Sequence, residues 1–193
     1  MLLVEIAPPR FDVELRLAYA SERNLTGRPV YGRAACYLHP DAAAALERAI
    51  KLAAALGLRF RIFDGYRPTE AQWVFWRFRP DPDYFAPPER GSPHSRGVAL
   101  DLTLVRASDG GALDMGTGFD ALTPRSHHGS LEVSAEAQRN RYLLLGLMSA
   151  AGFDFYGNEW WHYQLFNPRR YPLLSDAAAG TRLMPPATHT KSR

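Results

Sequence analysis

Residues 92–104 read SPHSRGVALDLTL, and this run decides how the rest of the chain is read. From Val98 onward the residues alternate, with Val98, Leu100, Leu102 and Leu104 on one side and Ala99, Asp101 and Thr103 on the other. A period of two predicts a strand, here from Gly97 to Val105. The leucine side is the natural core face. The opposite side carries a carboxylate, and aspartate is depleted in strands, so Asp101 calls for a partner. His94 precedes the strand across Gly97, whose flexibility lets the chain fold the imidazole back over the face of Asp101. Taken alone the pair is a weak signal. A solvent-facing aspartate and a loop histidine are the favoured account of it at this point.

The flanking segments supply the rest of the fold. Upstream, FDVELRLAYAS (11–21) sets Val13, Leu15 and Leu17 against Asp12, Glu14 and Arg16, again strand period. PDAAAALERAIKLAAALG (40–57) predicts a helix from Pro40 to Leu56, with Gly57 closing it. LRFRIF (58–63) alternates as a second strand and ends in a turn at Asp64-Gly65, after which Thr69 is placed to cap a helix over EAQWVFWRF (70–78). Residues 79–94 hold five prolines, so they form an irregular connection longer than the usual loop, and such loops are often functional. SDGGALDMGTGFDALTPRSHHG (108–129) is a second long polar loop, Val133 to Ala151 reads as a helix closed by Gly152, and WWHYQLF (160–166) as a last strand. Strands and helices mix without a regular βαβ rhythm. The expected fold is α+β, a single domain over 1–174 with a largely antiparallel sheet flanked by helices, followed by a loosely held tail over 175–193.

Bulk properties narrow the function classes. The chain has 193 residues, 46% hydrophobic and 22% charged, long enough for one substantial core. The net charge of +3 is mild and the basic residues are scattered, so nucleic-acid binding is not suggested. A single cysteine, Cys36, admits no intrachain disulfide and fits a reducing compartment. The opening MLLVEIAPPR shows neither a signal peptide nor a membrane span, which makes the cytoplasm the expected location and a membrane partner unexpected. A homodimer is compatible with the sequence.

A second constellation lies in NEWWHYQLF (158–166). Glu159 and His162 are three apart, so on one strand they would face opposite ways. For both to serve one site, Glu159 must sit in the turn or on a bulge before the strand. A core aromatic strand with an incidental histidine is the competing reading. Combined with SPHSRGVALDL, the picture changes. His94, Asp101 and His162 provide two imidazoles and a carboxylate, a ligand set for a catalytic zinc whose fourth position is left for water. Glu159 is then an unligated carboxylate beside that water, suited to general base and acid work. Arg67, in DGYRP (64–68) just past a strand end, can face a tetrahedral oxyanion, although a structural ion pair with Asp64 is the commoner role for such a residue.

In this order, DGYRP, SPHSRGVALDLTL, DMGTGFD (114–120), RSHH (125–128) and EWWHY (159–163) resemble the D-alanyl-D-alanine dipeptidases of the VanX/DdpX type, as does YASERNLTG (19–27) near the start. The S-x-H-x6-D and E-x-x-H pair is shared with a wider hedgehog/DD-peptidase-like superfamily, whereas EWWHY and MGTGFD narrow the resemblance to the dipeptidases. It implies a peptidase with one Zn2+ per chain that cleaves the small dipeptide D-Ala-D-Ala. By the resemblance, His94, Asp101 and His162 are the metal ligands, Glu159 is the catalytic base and Arg67 the transition-state stabiliser. Asp120, with Tyr19, falls where the family holds the substrate ammonium, and Ser92 falls near the substrate. A zwitterionic dipeptide does require a carboxylate at one end and donors at the other.

Competing expectations differ in substrate or in class: a D,D- or L,D-carboxypeptidase acting on peptidoglycan peptides, or a catalytically silent binding domain. His127 and His128 are expected outside the ligand set, His39 and His189 at the surface, and Trp73 and Trp76 in the core or at an edge.

Overall fold

The computed structural model describes residues 2–186. Its central sheet has five strands in the order β2-β4-β5-β7-β6, where β2 is Val13–Leu15, β4 Leu58–Asp64, β5 Ala99–Arg106, β6 Phe153–Phe155 and β7 His162–Leu165. All neighbours are antiparallel except β2 and β4, which run parallel. β1 (Val4–Glu5) and β3 (Tyr37–Leu38) form a separate antiparallel pair. Four helices follow from the same order: α1 (Pro40–Ala54), α2 (Thr69–Phe78), α3 (Ala135–Ala150) and α4 (Asp176–Ala179). The α+β expectation holds. None of the described helices is long and apolar enough to cross a membrane.

The leucine face of β5 builds the core as its period requires. Leu100, Leu102 and Leu104 pack with Phe60 and Ile62 of β4, Ala45, Leu46 and Ala49 of α1, and Leu144 and Met148 of α3. α1 begins with Pro40 at its first turn and His39 as cap, the ring nitrogen Nδ1 accepting from the Asp41 amide at 3.2 Å. That gives the expected surface histidine, His39, a local task. The other candidate, His189, lies outside the described residues. α3 starts at Ala135, where the Ser134 hydroxyl accepts from the Ala137 amide.

Three local expectations are corrected. Thr69 does not cap α2: Pro68 holds the cap position without a side-chain bond, and the Thr69 hydroxyl turns to Glu70. The first strand is shorter than its alternation, because the chain leaves the sheet into a 3-10 turn at Ala18–Ala20. β5 starts two residues later than expected, because Gly97 closes the 3-10 turn His94–Arg96 with φ +69°. A side chain at Gly97 would also stand 2.7 Å from Leu3 and 3.1 Å from the His39 amide, so the position has room only for glycine.

The tail expected to be loosely held from Ser175 is instead packed as far as Leu183. The Asp176 carboxylate accepts from the Thr181 hydroxyl at 2.5 Å and from the amides of Leu183 at 2.9 Å and Met184 at 3.0 Å. This folds the chain back so that Leu183, fully buried, joins Leu3, Tyr37, Tyr66 and Leu174 in a second apolar cluster. The tail lacks periodicity because side-chain to backbone bonds organise it, and these leave no repeating pattern. Leu183→Ala is expected to destabilise the protein by about 2–4 kcal/mol in urea unfolding. A change within about 0.5 kcal/mol, the size usual at surface positions, would mean the segment is loose after all.

Candidate active site

Strand register brings the first two site residues together. Asp101 of β5 lies directly opposite His162 of β7, and directly opposite residues of an antiparallel pair share a face. On its other side Asp101 neighbours Asp64 of β4, where the register shifts by a bulge. A row of polar residues therefore crosses the middle of the sheet on the face opposite the leucines. His94 reaches the row from the 3-10 turn before β5. All three side chains are buried: His94 2% exposed, Asp101 2% and His162 7%.

Their contacting atoms form a small triangle. His94 Nε2 is 3.0 Å from His162 Nδ1 and 3.3 Å from Asp101 Oδ1, and His162 Nδ1 is 3.2 Å from that same oxygen. The outer ring nitrogens fix the tautomers. His94 Nδ1 donates to the Gly65 carbonyl at 2.7 Å, and His162 Nε2 donates to Gln164 Oε1 at 3.0 Å. The inner nitrogens, His94 Nε2 and His162 Nδ1, both face the same carboxylate oxygen. Burial alone would raise the Asp101 carboxyl, but the two imidazoles hold it below the usual carboxylate range. The donor set fits zinc. A tetrahedron with bonds of about 2.0–2.1 Å has edges of about 3.3 Å, two nitrogens and an oxygen suit the ion, and three ligands leave a fourth position open.

Glu159 sits in the turn between β6 and β7, as its spacing from His162 requires. Its carboxylate is 3.9 Å from His162 Nδ1, close to the triangle without joining it. Burial pushes its carboxyl up to about 8, with Asp101 and Asp120 adding to the rise. The turn is anchored by Trp160 and Trp161, both buried, and the Trp160 indole donates to the Thr117 hydroxyl at 2.8 Å.

Arg67 makes the ion pair considered for it and also lines the cavity. Its Nε donates to Asp64 at 2.9 Å, which is the expected ion pair, while Nη1 donates to Gln72 at 3.3 Å and Nη2 to Asp101 at 3.4 Å. A guanidinium has five N–H groups, so two remain for the cavity. The rings of Tyr19 and Phe75 lie 5.1 and 4.9 Å from its central carbon. Asp64 is itself fixed by the Tyr31 hydroxyl at 2.8 Å. The Arg67 amide donates to the His94 carbonyl, so the DGYR turn and the His94–Arg96 turn are tied together.

Asp120 stands in the left-handed region, φ +59°. Its Oδ1 accepts from the Tyr19 hydroxyl at 3.0 Å, while Oδ2 is buried with no partner. Burial, together with the Asp101 charge, pushes its carboxyl up to about 8. The Ser92 hydroxyl accepts from the His94 amide at 3.2 Å. Tyr19, Arg67, Ser92, His94, Asp101, Asp120, Glu159 and His162 line one cavity of about 260 Å³, room for roughly nine waters at ~30 Å³ each. The proline-rich connection supplies Pro82, Asp83, Tyr84, Phe85, Ala86 and Pro87 as its wall. The Tyr156 hydroxyl donates to the Asp83 carbonyl and pins that wall to the Glu159 turn.

The remaining candidates stand apart. His128 is buried against Phe155 and Tyr163, where burial lowers it to about 4, and His127 is partly buried; neither lines the cavity. Trp73 is at the edge and Trp76 half-buried. Asp64, Gln72 and Gln164 were missed as site residues. Gln164 carried a signal, since it lies two residues after His162 and so shares its face.

The chain matches the family model described as D-Ala-D-Ala dipeptidase over residues 3–173. It is 46% identical to the D-alanyl-D-alanine dipeptidase of Escherichia coli K12, over 90% of each chain. It is 35% identical to the one of Enterococcus faecium, over 76% of this chain and 83% of that one. Among solved structures, the LD-carboxypeptidase LdcB aligns with a TM-score of 0.49 at 20% identity, covering 94% of this chain and 72% of that one. The family match spans residues 3–173 and the Escherichia coli relative 90% of the chain, and the chain belongs to the D-Ala-D-Ala dipeptidase family of metallopeptidases.

Proposed function

We propose that this enzyme hydrolyses free D-alanyl-D-alanine to two D-alanines with the help of one zinc ion, which His94 Nε2, Asp101 Oδ1 and His162 Nδ1 would hold. The carrying observation is the triangle itself: two imidazole nitrogens and a carboxylate oxygen, buried and 3.0 to 3.3 Å apart, with the outer ring nitrogens bonded to Gly65 and Gln164. Zinc bound there supplies Lewis acidity, which activates water near neutral pH and polarises a peptide carbonyl.

The chain's own groups do the rest. Glu159 takes a proton from the attacking water as the new C–O bond forms. Burial raises its basicity, which suits a group that must accept a proton and then release it near pH 7. As the C–N bond breaks, Glu159 returns the proton to the leaving amine. The free N–H groups of Arg67 face the oxyanion, and three anchoring bonds keep the guanidinium from reorganising. The unpartnered Asp120 oxygen takes the substrate ammonium, with Tyr19 steadying the other oxygen. Ser92 shapes the wall by holding the His94 backbone. Charge balance supports the same reading. Four carboxyls, of Asp64, Asp101, Asp120 and Glu159, gather around one guanidinium, Arg67, an excess of negative charge that a dication would largely offset. A cytoplasmic site of action belongs to the same reading.

Glu159→Gln is expected to lower kcat by about 10²–10⁴ while zinc content stays unchanged. Near-normal turnover in that variant would remove Glu159 from the chemistry. Asp120→Asn is expected to raise KM for D-Ala-D-Ala roughly ten- to hundredfold, the worth of a hydrogen bond to a charged group. In the same assay a pentapeptide ending in D-Ala-D-Ala, which lacks the ammonium at that position, is expected to show kcat/KM lower by at least about a hundredfold. Equal efficiency on both substrates would favour the carboxypeptidase reading instead.

A further inference from the structure

Arg141 of α3 lies outside the cavity and is completely buried. A buried guanidinium ordinarily meets a carboxylate. This one meets three backbone carbonyls instead. Nε donates to Met115 at 2.8 Å, Nη1 to His127 at 2.9 Å and Nη2 to Arg125 at 2.9 Å. Met115 lies at one end of a loop, and Arg125 and His127 at the other. Asp120 sits between them.

Other α3 side chains reach the same loop. Asn140 donates to the Asp114 carbonyl at 2.8 Å, and Gln138 to the His128 carbonyl at 2.8 Å. The loop rests directly on the start of the helix. At Gly116, φ +75°, a side chain would stand 2.7 Å from Val133 and 3.2 Å from Ala137. On the far side of the loop Asp120 lines the cavity, in a left-handed backbone conformation uncommon outside glycine, and beside it Phe119 stacks on Phe63 with centroids 4.7 Å apart.

We propose that Arg141 is a positioning residue for the substrate: its planar fork clamps both ends of the Met115–His127 loop and so holds Asp120 at the ammonium end of the cavity. The inference rests on the reading of Asp120 given above. Burial lowers the proton affinity of Arg141, with no carboxylate bonded to it, so this guanidinium is costly to bury. An apolar side chain would fill the space at less expense but could not bond three carbonyls at once. Lysine keeps the charge and loses the fork.

The test is steady-state hydrolysis of D-Ala-D-Ala, with metal content measured on every sample, for Arg141→Lys, Asn140→Ala, Asp120→Asn and the double variant of Arg141 and Asp120. Arg141→Lys is expected to raise KM about tenfold, with kcat within about threefold and zinc unchanged, because a shifted contact costs binding before chemistry. Added to Asp120→Asn, it is expected to raise KM no further, since both act through one contact. Mere structural damage would lower kcat and metal content together and would add to the Asp120 effect, and that result overturns the proposal. Should Arg141→Lys not fold, the partly exposed Asn140 decides: Asn140→Ala is expected to raise KM about two- to threefold, and an unchanged KM overturns the clamp. If Asp120→Asn leaves KM unaltered, the reading of Asp120 fails. If that variant raises KM and Arg141→Lys does not, the clamp alone fails.

Discussion

Three side chains of metal-ligand type, His94, Asp101 and His162, converge in the middle of this protein. Two imidazole nitrogens and a carboxylate oxygen lie 3.0 to 3.3 Å apart, in a region nearly closed to water. Buried and packed this closely, the three groups are stabilised by a positive charge at their centre, whether a proton or a metal ion. The surroundings make this arrangement harder to relax. Gly65 and Gln164 hold the two ring protons on the outside, so neither imidazole can turn its N–H inward without losing a bond. Arg67 and Asp64 then tie the triangle to the next strand.

The sheet exists in the form that this convergence needs. Register places Asp101 opposite His162, and a shift of one residue in either strand would send one of them to the leucine face. The leucines that fix the register are therefore as necessary to the site as its polar groups. Gly97 lets His94 double back at the start of β5, and the turn before β7 does the same for Glu159. Both of these turns sit at strand ends, where the backbone is free to bend toward the row.

Much of this was legible in the sequence. The alternation of Val98 to Leu104 gave the core face and marked Asp101 as the exception, and the spacing of Glu159 and His162 demanded a turn between them. All eight site residues named from sequence line one cavity. What escaped reading has a common cause. The docking of Asp176 to Leu183 and the hold of Arg141 on the Met115–His127 loop both depend on bonds from a side chain to a distant or irregular backbone, and such bonds have no period. β1, β3 and β6 escaped because two or three residues cannot display an alternation. The parallel pairing of β2 with β4 is a property of topology, since the same alternating residues serve either direction.

The claim on which everything else turns is that the triangle of His94, Asp101 and His162 exists to hold a metal ion used in peptide hydrolysis. Metal analysis of the purified protein, with D-Ala-D-Ala hydrolysis followed before chelation, after it and after zinc is restored, tests that claim most directly. The account predicts about one zinc per chain, activity lost with the metal and regained on its return. Full hydrolysis by metal-free protein would contradict it.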